Sequence, residues 1–495
     1  MTEELLMREF SEQETVRRQT LEELRGIINP YPERFERNYE LKDVVNLEDN
    51  TKDISVAGRI VGMRKMGKLS FIHIEDVEGK VQVLLKKDSL GEDSYTFFKK
   101  YYDVGDFVGV HGFVFTTQSG EKTIETDKIT FLGKALKPLP EKFHGLQDEE
   151  VIYRERYVDL IMNEESRKRF LLRSKFVEEL RKFLWTNGYI EIDTPILTNK
   201  PSGAAAKPFI THHNALDMDV YLRIATETYL KRAVVGGFTK VFELGRDFRN
   251  EGIDPNHLQD FNMIEGYGAY LNYKDNMIFL QKMLQTIIKN VFGTLEVQVG
   301  ENLINFDGTW PEVTFRDLIL KYSNIDIKKY NTKELLLNKI KEDKIELDPD
   351  ININNLGYGN LVDQLYKKTA RPNLVGPIYL TEHPIELSPL ARANDDDASI
   401  TDRFQLIVNG EELINAYSEL VDPQEQEARL LHQAELKAKG DEDAMPMDYD
   451  YINAMEYGMP PISGWGMGID RVIQMLTNAS NIKDVVMFPL MKPKD

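Results

Sequence analysis

Apolar residues along this chain switch between two spacings, and the switches mark its elements. From 52 to about 133 the pattern alternates. Ile54, Val56 and Ile60 alternate with Ser55, Ala57 and Arg59. Ile72 and Ile74 alternate with Phe71, His73 and Glu75, and Val81 and Val83 flank Gln82. Alternation of this kind predicts strands. Runs over 107–115 and 123–131, parted by the polar turn Gln118-Ser119-Gly120-Glu121, add two more. Five short strands in about 80 residues predict a small closed barrel of the oligonucleotide-binding type (OB-fold). With the apolar set inward, Arg59, Phe71 and Gln82 face out. A ring between a cation and an amide suits single-stranded nucleic acid, through stacking and base-edge hydrogen bonds. A Phe71 that fills a barrel corner beside a solvated Gln82 fits the same pattern.

Helical spacing governs most of the remainder. It predicts helices over 1–28, 164–185, 227–235, 275–293 and 422–444, with breaks at Gly26, Asn29-Pro30, Gly188 and Gly236-Gly237. Strands are expected at 188–195, 221–224, 241–244, 261–270, 378–380 and 404–408. A glycine-rich strand passes into a helix within 464–476. Residues 315–372, rich in Lys, Asn, Ile and Leu, read as a helical insertion. The organisation is therefore a helical extension (1–50), a barrel (51–135), a charged, proline-containing linker (136–155) and a larger α+β domain (156–495).

Composition narrows the chemistry. The chain has 495 residues and no cysteine, which excludes disulfides, zinc–thiolate sites and cysteine nucleophiles and fits a reducing cytoplasm. The N-terminus carries acids and no long apolar run, so neither a signal peptide nor a membrane span is expected. The formal net charge is -20, which argues against nucleic acid for the chain as a whole. The barrel departs from that average: 52–137 holds 14 Lys and Arg against 12 Asp and Glu.

Three stretches concentrate functional side chains. In 241–270, two strands flank a turn-rich loop carrying Arg249, Asn250, Glu251, His257 and Leu258. On an extended chain Arg249 and Glu251 share a face, offering a guanidinium fork to phosphate beside a carboxylate that accepts from an amino group. Phe261 offers a flat ring, and Glu265 and Tyr267 share a face of the return strand. In 411–420, EELINAYSEL, Glu412, Asn415 and Glu419 share one helical face, or one strand face if a bulge intervenes at Glu412; the spacing allows both. Carboxylates within an apolar run call for partners or cations. In 464–476, Gly464, Gly466 and Gly468 clear space for a close approach ahead of Ile469, Asp470 and Arg471. Their spacing does not match a dinucleotide-binding GxGxxG. The small-residue loop 198–208 includes Gly203 and has the composition of a closing loop.

Taken together, KFHGLQDEEVIYRERYVDL, GAAAKPFITHHNALDMDVYLRIATETYLKR, VFELGRDFRNEG, EHPIELSPLAR and GWGMGIDR resemble the class II aminoacyl-tRNA synthetases, most closely the lysyl-tRNA synthetase family, over nearly the whole chain. The resemblance implies a six-stranded antiparallel sheet flanked by helices, a homodimer formed through the motif at 188–195, and an anticodon-binding barrel. It implies L-lysine, ATP and tRNA(Lys) as substrates, with Mg²⁺. By resemblance Arg249 holds the α-phosphate, Glu251 meets adenine, and His257 and Arg471 reach the triphosphate. Phe261 and Arg471 sandwich the base, and Asn250, Leu258, Gly468, Ile469 and Asp470 complete the ATP site. Gly203 and Glu265 take the α-amino end of lysine, while Glu227, Tyr267 and Glu419 surround its ε-ammonium, with Asn415 at its carboxylate. Glu412 holds metal, and Arg59, Phe71 and Gln82 read the anticodon.

Three departures stand out. Leu258-Gln259-Asp260-Phe261-Asn262 differs from the family's usual run after His257. Gly266 replaces a larger apolar residue. Gln405 stands where the family has a second metal-binding Glu, and its carbonyl can serve as a metal ligand without the charge. The rival readings are an aspartyl- or asparaginyl-type synthetase, a weakly catalytic tRNA-binding paralogue, and a protein-modifying lysine ligase.

Overall fold

The computed structural model describes residues 9–140, 148–349, 352–353, 356–439 and 444–493. The parts of the expected N-terminal helix, the linker and the 422–444 helix at 1–8, 141–147 and 440–443 lie outside the described residues. The chain divides into two compact units, Met1–Arg167 and Lys168–Asp495.

In the first unit, α1 (Glu12–Arg25) starts at Ser11, whose hydroxyl accepts from the Glu14 N–H while the Glu14 carboxylate accepts from the Ser11 N–H. That reciprocal cap fixes the helix start. Five strands follow: β1 (Ile54–Met66), β2 (Leu69–Glu75), β3 (Lys80–Lys86), β4 (Phe107–Thr116) and β5 (Lys122–Gly133). They close in the order β1-β2-β3-β5-β4. The closure joins β3 to β5 in parallel and is antiparallel elsewhere. Ile54, Val56, Ile60, Ile72, Ile74, Val81 and Val83 are all buried in the barrel core, as their alternation predicts. One element was not anticipated. Helix α2 (Glu92–Tyr101) packs Tyr95, Phe98 and Tyr101 into the barrel core, a single apolar stripe at helical spacing.

The second unit is built on an eight-stranded sheet. Its strands, with those of two minor sheets, are β6 (Ile190–Glu191), β7 (Leu197–Thr198), β8 (Ile210–His213), β9 (Met218–Leu222), β10 (Lys240–Phe248), β11 (Asp260–Ala269), β12 (Glu296–Val299), β13 (Asn302–Asn305), β14 (Glu312–Thr314), β15 (Ile378–Thr381), β16 (Arg403–Val408), β17 (Glu411–Ser418) and β18 (Ile462–Gly468). The main order is β14-β15-β16-β17-β18-β11-β10-β6. The six inner strands run antiparallel, and the short edge strands β14 and β6 pair in parallel. The expected strand over 188–195 shrinks to the two residues of β6: Gly188 is left-handed at φ 81, and the Thr194 N–H bonds the Glu243 carboxylate at 3.0 Å instead of a neighbouring strand.

Helices cover one face. They include α3 (Glu164–Thr186), which begins at the junction of the units, and α5 (Tyr273–Phe292); α4 (Glu227–Val235) lies between them in the chain. Asn272 caps α5 through the N–H groups of Lys274 and Asp275, and Gly293 ends it at φ 74, the left-handed conformation that glycine tolerates. The core joins Phe176, Leu180, Ile264, Leu280, Ile414, Trp465 and Met467. The insertion is helical, as its composition predicts: α6 (Phe315–Ser323), α7 (Lys333–Glu342) and α8 (Tyr358–Thr369) share their own apolar cluster. Asp422 caps α9 (Pro423–Ala438). Then come α10 (Tyr449–Glu456) and α11 (Ile469–Leu476), the latter directly after β18.

Candidate active site

Period-two alternation divides β11, β18 and β17 between core and cavity. On β11, Phe261, Met263, Glu265 and Tyr267 line a cavity of about 570 Å³ while Ile264 enters the core. On β17, Asn415 and Tyr417 line the cavity while Ile414 and Ala416 enter the core. Glu412 has the wrong parity for that face. A register irregularity corrects it: Leu406 pairs with Ile414 and Ile407 with Glu412, so Leu413 is the extra residue. The strand alternative for 411–420 therefore holds, with the bulge it requires.

The middle strand, β18, supplies glycine. A Cβ on Gly464 would lie 2.2 Å from Tyr267 and 2.4 Å from Glu419, and one on Gly466 would lie 2.9 Å from Met263. Side chains from both neighbours can thus lie across the central strand. Gly266 has a different reason. Its Cβ would sit 2.5 Å from the Trp465 indole, which takes the volume a larger residue would need.

One end of the cavity carries the arginines. Arg249, Glu251, His257, Leu258, Phe261, Gly468, Asp470 and Arg471 all line it. Arg471 Nη1 donates to the Glu412 carbonyl at 3.0 Å, and its Nη2 lies 3.2 Å from His257 Nε2. His257 Nδ1 in turn pairs with Asp254 at 2.8 Å. The Arg249 guanidinium stands 5.1 Å from the Phe261 ring centroid, within cation–π range. Arg249 and Glu251 do not share an extended strand. The Glu251 N–H bonds the Arg249 carbonyl at 2.9 Å, a tight turn imposed by the following Gly252 and Asp254-Pro255. Both still reach the cavity. Asn250 is exposed, with its N–H bonded to the Lys207 carbonyl. Ile469 sits in the core. Asp470 is buried, accepting from the Asn262 N–H at 2.7 Å and pairing with Arg173 at 2.5 Å.

The other end is acidic and buried. Glu227, Glu265, Tyr267 and Glu419 are all buried there. Thr226 Oγ donates to Glu265 at 2.8 Å and Tyr417 OH to Glu227 at 2.7 Å. Burial, with Asp247 and Glu227 close by, pushes the Glu265 carboxyl well up. Burial also pushes Glu419 up to about 8, against the pull of Lys231. Glu227 and Tyr267 line the cavity, whereas Glu419 lies behind the lining. Between the two acids sits Lys231, whose Nζ donates to Glu227 Oε1 at 2.5 Å and pairs with Glu419. Neither Glu419 oxygen has an aligned hydrogen-bond donor. Gly203, at φ 86, brings the small-residue loop against Glu227; a Cβ there would lie 3.2 Å from that of Glu227.

Several of these groups escaped the sequence reading. Lys231, four residues after Glu227, looks like an ordinary helical surface pair. Arg403 holds Asn415 Oδ1 through its Nε at 2.8 Å and donates to the Leu387 carbonyl and Ser388 Oγ; its one signal was a charge opening an apolar run. Arg223, buried against Glu243 and Asp247, braces β10, and Gly245 clears its path.

The metal-binding expectation rests on Glu412 and Gln405. Gln405 Nε2 donates to Glu412 Oε2 at 2.7 Å, and its Oε1 faces His383 Nε2 at 3.1 Å. Burial and nearby Arg403 push the His383 pKa well down, so the neutral ring donates to that carbonyl. Among the described residues no cluster of three His, Cys, Asp or Glu is placed to hold a metal. Glu412 alone, completed by substrate phosphates and water, still fits magnesium, which is commonly held by one or two carboxylates.

On the barrel, Arg59, Phe71 and Gln82 all lie on the half-buried outer face of their strands. Arg59 donates to the Gly105 carbonyl at 2.9 Å and stacks 4.2 Å from the Phe107 ring centroid. Gln82 donates to Glu121 at 2.7 Å, and the same carboxylate pairs with His73. Glu121, read in the sequence only as part of a turn, thus covers two groups of this face.

Comparison with known proteins agrees in both units. Residues 148–492 match the family described as tRNA synthetases class II (D, K and N). Residues 54–132 match the OB-fold nucleic acid binding domain. The lysine–tRNA ligase of Thermosipho africanus is 43% identical over 489 residues, covering 96% of each chain. That of Carboxydothermus hydrogenoformans is 44% identical over 490 residues, covering 98% of this chain and 99% of its own. That of Thermotoga maritima is 42% identical over 498 residues, covering 99% and 97%.

Proposed function

This chain belongs to the class II tRNA synthetases of the D, K and N group, beside the lysine–tRNA ligases, and from that premise we propose that it joins L-lysine to tRNA(Lys) through an ATP-derived lysyl-adenylate. The observation that carries the reading is one cavity with arginines at one end and buried Glu227 and Glu265 at the other, with Glu419 just behind them. A compact ammonium leaving water needs paired negative charge. An aspartate side chain would be repelled by this acid end, and an asparagine would leave its charge unpaired, which disfavours the aspartyl and asparaginyl alternative.

In this reading Arg249 holds the α-phosphate, and His257 and Arg471 hold the triphosphate tail. Phe261 and Arg471 enclose adenine, with Glu251 at its amino group. Asn250, Leu258, Gly468, Ile469 and Asp470 shape the rest of the ATP seat. Gly203 and Glu265 take the α-amino group of lysine, Asn415 its carboxylate, and Glu227, Tyr267 and Glu419 its ε-ammonium. The lysine carboxylate attacks the α-phosphorus in line, and pyrophosphate leaves. A ribose hydroxyl of the terminal tRNA nucleotide then attacks the acyl carbon, and AMP leaves. No protein nucleophile takes part; positioning and charge neutralisation carry the rate. Glu412 would hold magnesium, which would supply further phosphate neutralisation, and Gln405 steadies Glu412.

Arg59, Phe71 and Gln82 read the anticodon, with Glu121 displaced. A homodimer forms near β6, supported by half-exposed Trp185, Ile190, Ile196 and Leu197. Among the described residues no helix is long and apolar enough to cross a membrane, and the lack of cysteine supports a cytoplasmic setting. The test is aminoacylation of tRNA bearing a lysine anticodon. Lysine should be joined to it, and Phe71→Ala should raise the KM for tRNA by about tenfold, the scale of one lost base stack. Charging with aspartate and none with lysine would overturn the reading.

A further inference from the structure

Lys231 is fully buried, yet it does not line the cavity. Its Nζ lies beneath the acid end, bonded to Glu227 at 2.5 Å and paired with Glu419. Three rings enclose it: Tyr267, Tyr417 and Tyr451, with centroids 5.8, 5.6 and 5.7 Å from the Nζ. The groups facing it come from four elements: Glu227 on α4, Tyr267 on β11, Tyr417 on β17 with Glu419 just after that strand, and Tyr451 on α10. Glu265 adds a third acid beside Glu227. Two buried carboxylates facing one another cannot both stay ionised without a cation.

We infer that Lys231 is the resident counter-ion of the Glu227–Glu419 pair, cancelling one of the two charges so that the pocket accepts one further ammonium and no more. This rests on reading the acid end as the seat of a side-chain ammonium. With Lys231 present, two acids face one internal cation, and a single negative charge remains for the substrate. Without it, the acids share a proton at neutral pH, and the charge that recognises lysine forms only at higher pH. Lys231 acts through the two acids, so it is a positioning and specificity-setting residue.

The test compares the full-length chain with Lys231→Met, an apolar side chain of similar length, and with Lys231→Ala. In thermal unfolding, the Met variant should melt nearer to wild type at about pH 6 than at about pH 9, because raised carboxyl pKa values remove stability as pH rises through them. This arm needs no substrate, so it stands even if the proposed function fails. In lysine-dependent ATP–pyrophosphate exchange, the Met variant should raise the lysine KM by about tenfold or more and leave the ATP KM within about threefold, the split expected of a lost ground-state contact. The acid limb of its lysine kcat/KM profile should move to higher pH. Methylammonium should restore the Ala variant, and methanol should not. A melting deficit that is equal at both pH values, or a variant as unfolded at pH 6 as at pH 9, would overturn the inference. So would an unchanged lysine KM, or rescue by methanol equal to that by methylammonium. A wild-type chain that exchanges with another amino acid but not lysine would sink the functional reading alone.

Discussion

The two ends of the cavity solve opposite electrostatic problems. At the arginine end, Arg249 and Arg471 are only partly buried and His257 is exposed; the arginines lean on a ring, a backbone carbonyl and His257, and His257 on Asp254. At the acid end, Glu227 and Glu419 are buried, and an internal lysine already holds them. The solvated end can receive a ligand carrying several charges, whose exposed contacts are screened. The buried end holds its acids against an internal cation before a ligand arrives, so it discriminates by a single charge.

That contrast ranks the expected effects of change. Arg249→Ala or Arg471→Ala should lower lysine-dependent exchange by about 10³-fold, chiefly in kcat, as for other losses of a preorganised transition-state charge contact. Equal loss in KM alone would move these residues to ground-state binding. Glu227→Gln should raise the lysine KM by about 10²-fold with little effect on the ATP KM, the scale of a lost desolvated charge pair. If ATP suffered as much as lysine, the two ends would not be separate. Gln405→Glu sharpens the boundary between them. It adds a carboxylate where an amide now donates to Glu412, and it should lower the magnesium needed for half-maximal exchange several-fold; an unchanged requirement would show that Gln405 lies outside the metal's reach. The smallest effect is a proton. Burial raises the Glu419 carboxyl while Lys231 holds it down, so a fraction of it keeps its proton near neutral pH. An arriving ammonium favours the ionised form, so lysine binding should release part of a proton near pH 7 and none near pH 10. Calorimetry in buffers of different ionisation enthalpy reads this directly, and identical heats in all buffers would contradict it.

The same contrast explains what the sequence could reveal. Strand parity placed Glu265 and Tyr267 on one face, and the β17 residues matched a strand once a bulge was allowed. Alternation also set the barrel register that turns Arg59, Phe71 and Gln82 outward. These are local, periodic signals. Helix α2 was missed because its aromatic stripe falls between two strands and is short. Lys231 and Arg403 were missed for a deeper reason. A buried cation is defined by what lies across from it, and its partners are long-range: Glu419 is far from Lys231 in the chain, and Ser388 and Asn415 flank Arg403 from either side. The tight turn at Arg249–Glu251 escaped because the face-sharing argument assumed an extended backbone next to a run of turn formers.

The most direct test of the central claim, that opposed acids select a positively charged side-chain tip, is ATP–pyrophosphate exchange with lysine, norleucine and aspartate compared on the purified chain. Norleucine keeps the aliphatic stem and lacks the ammonium. The account predicts exchange with lysine, a loss of about 10³-fold or more in kcat/KM with norleucine, as expected when a buried polar site is left unpaired, and none with aspartate. Exchange with norleucine comparable to that with lysine would contradict it.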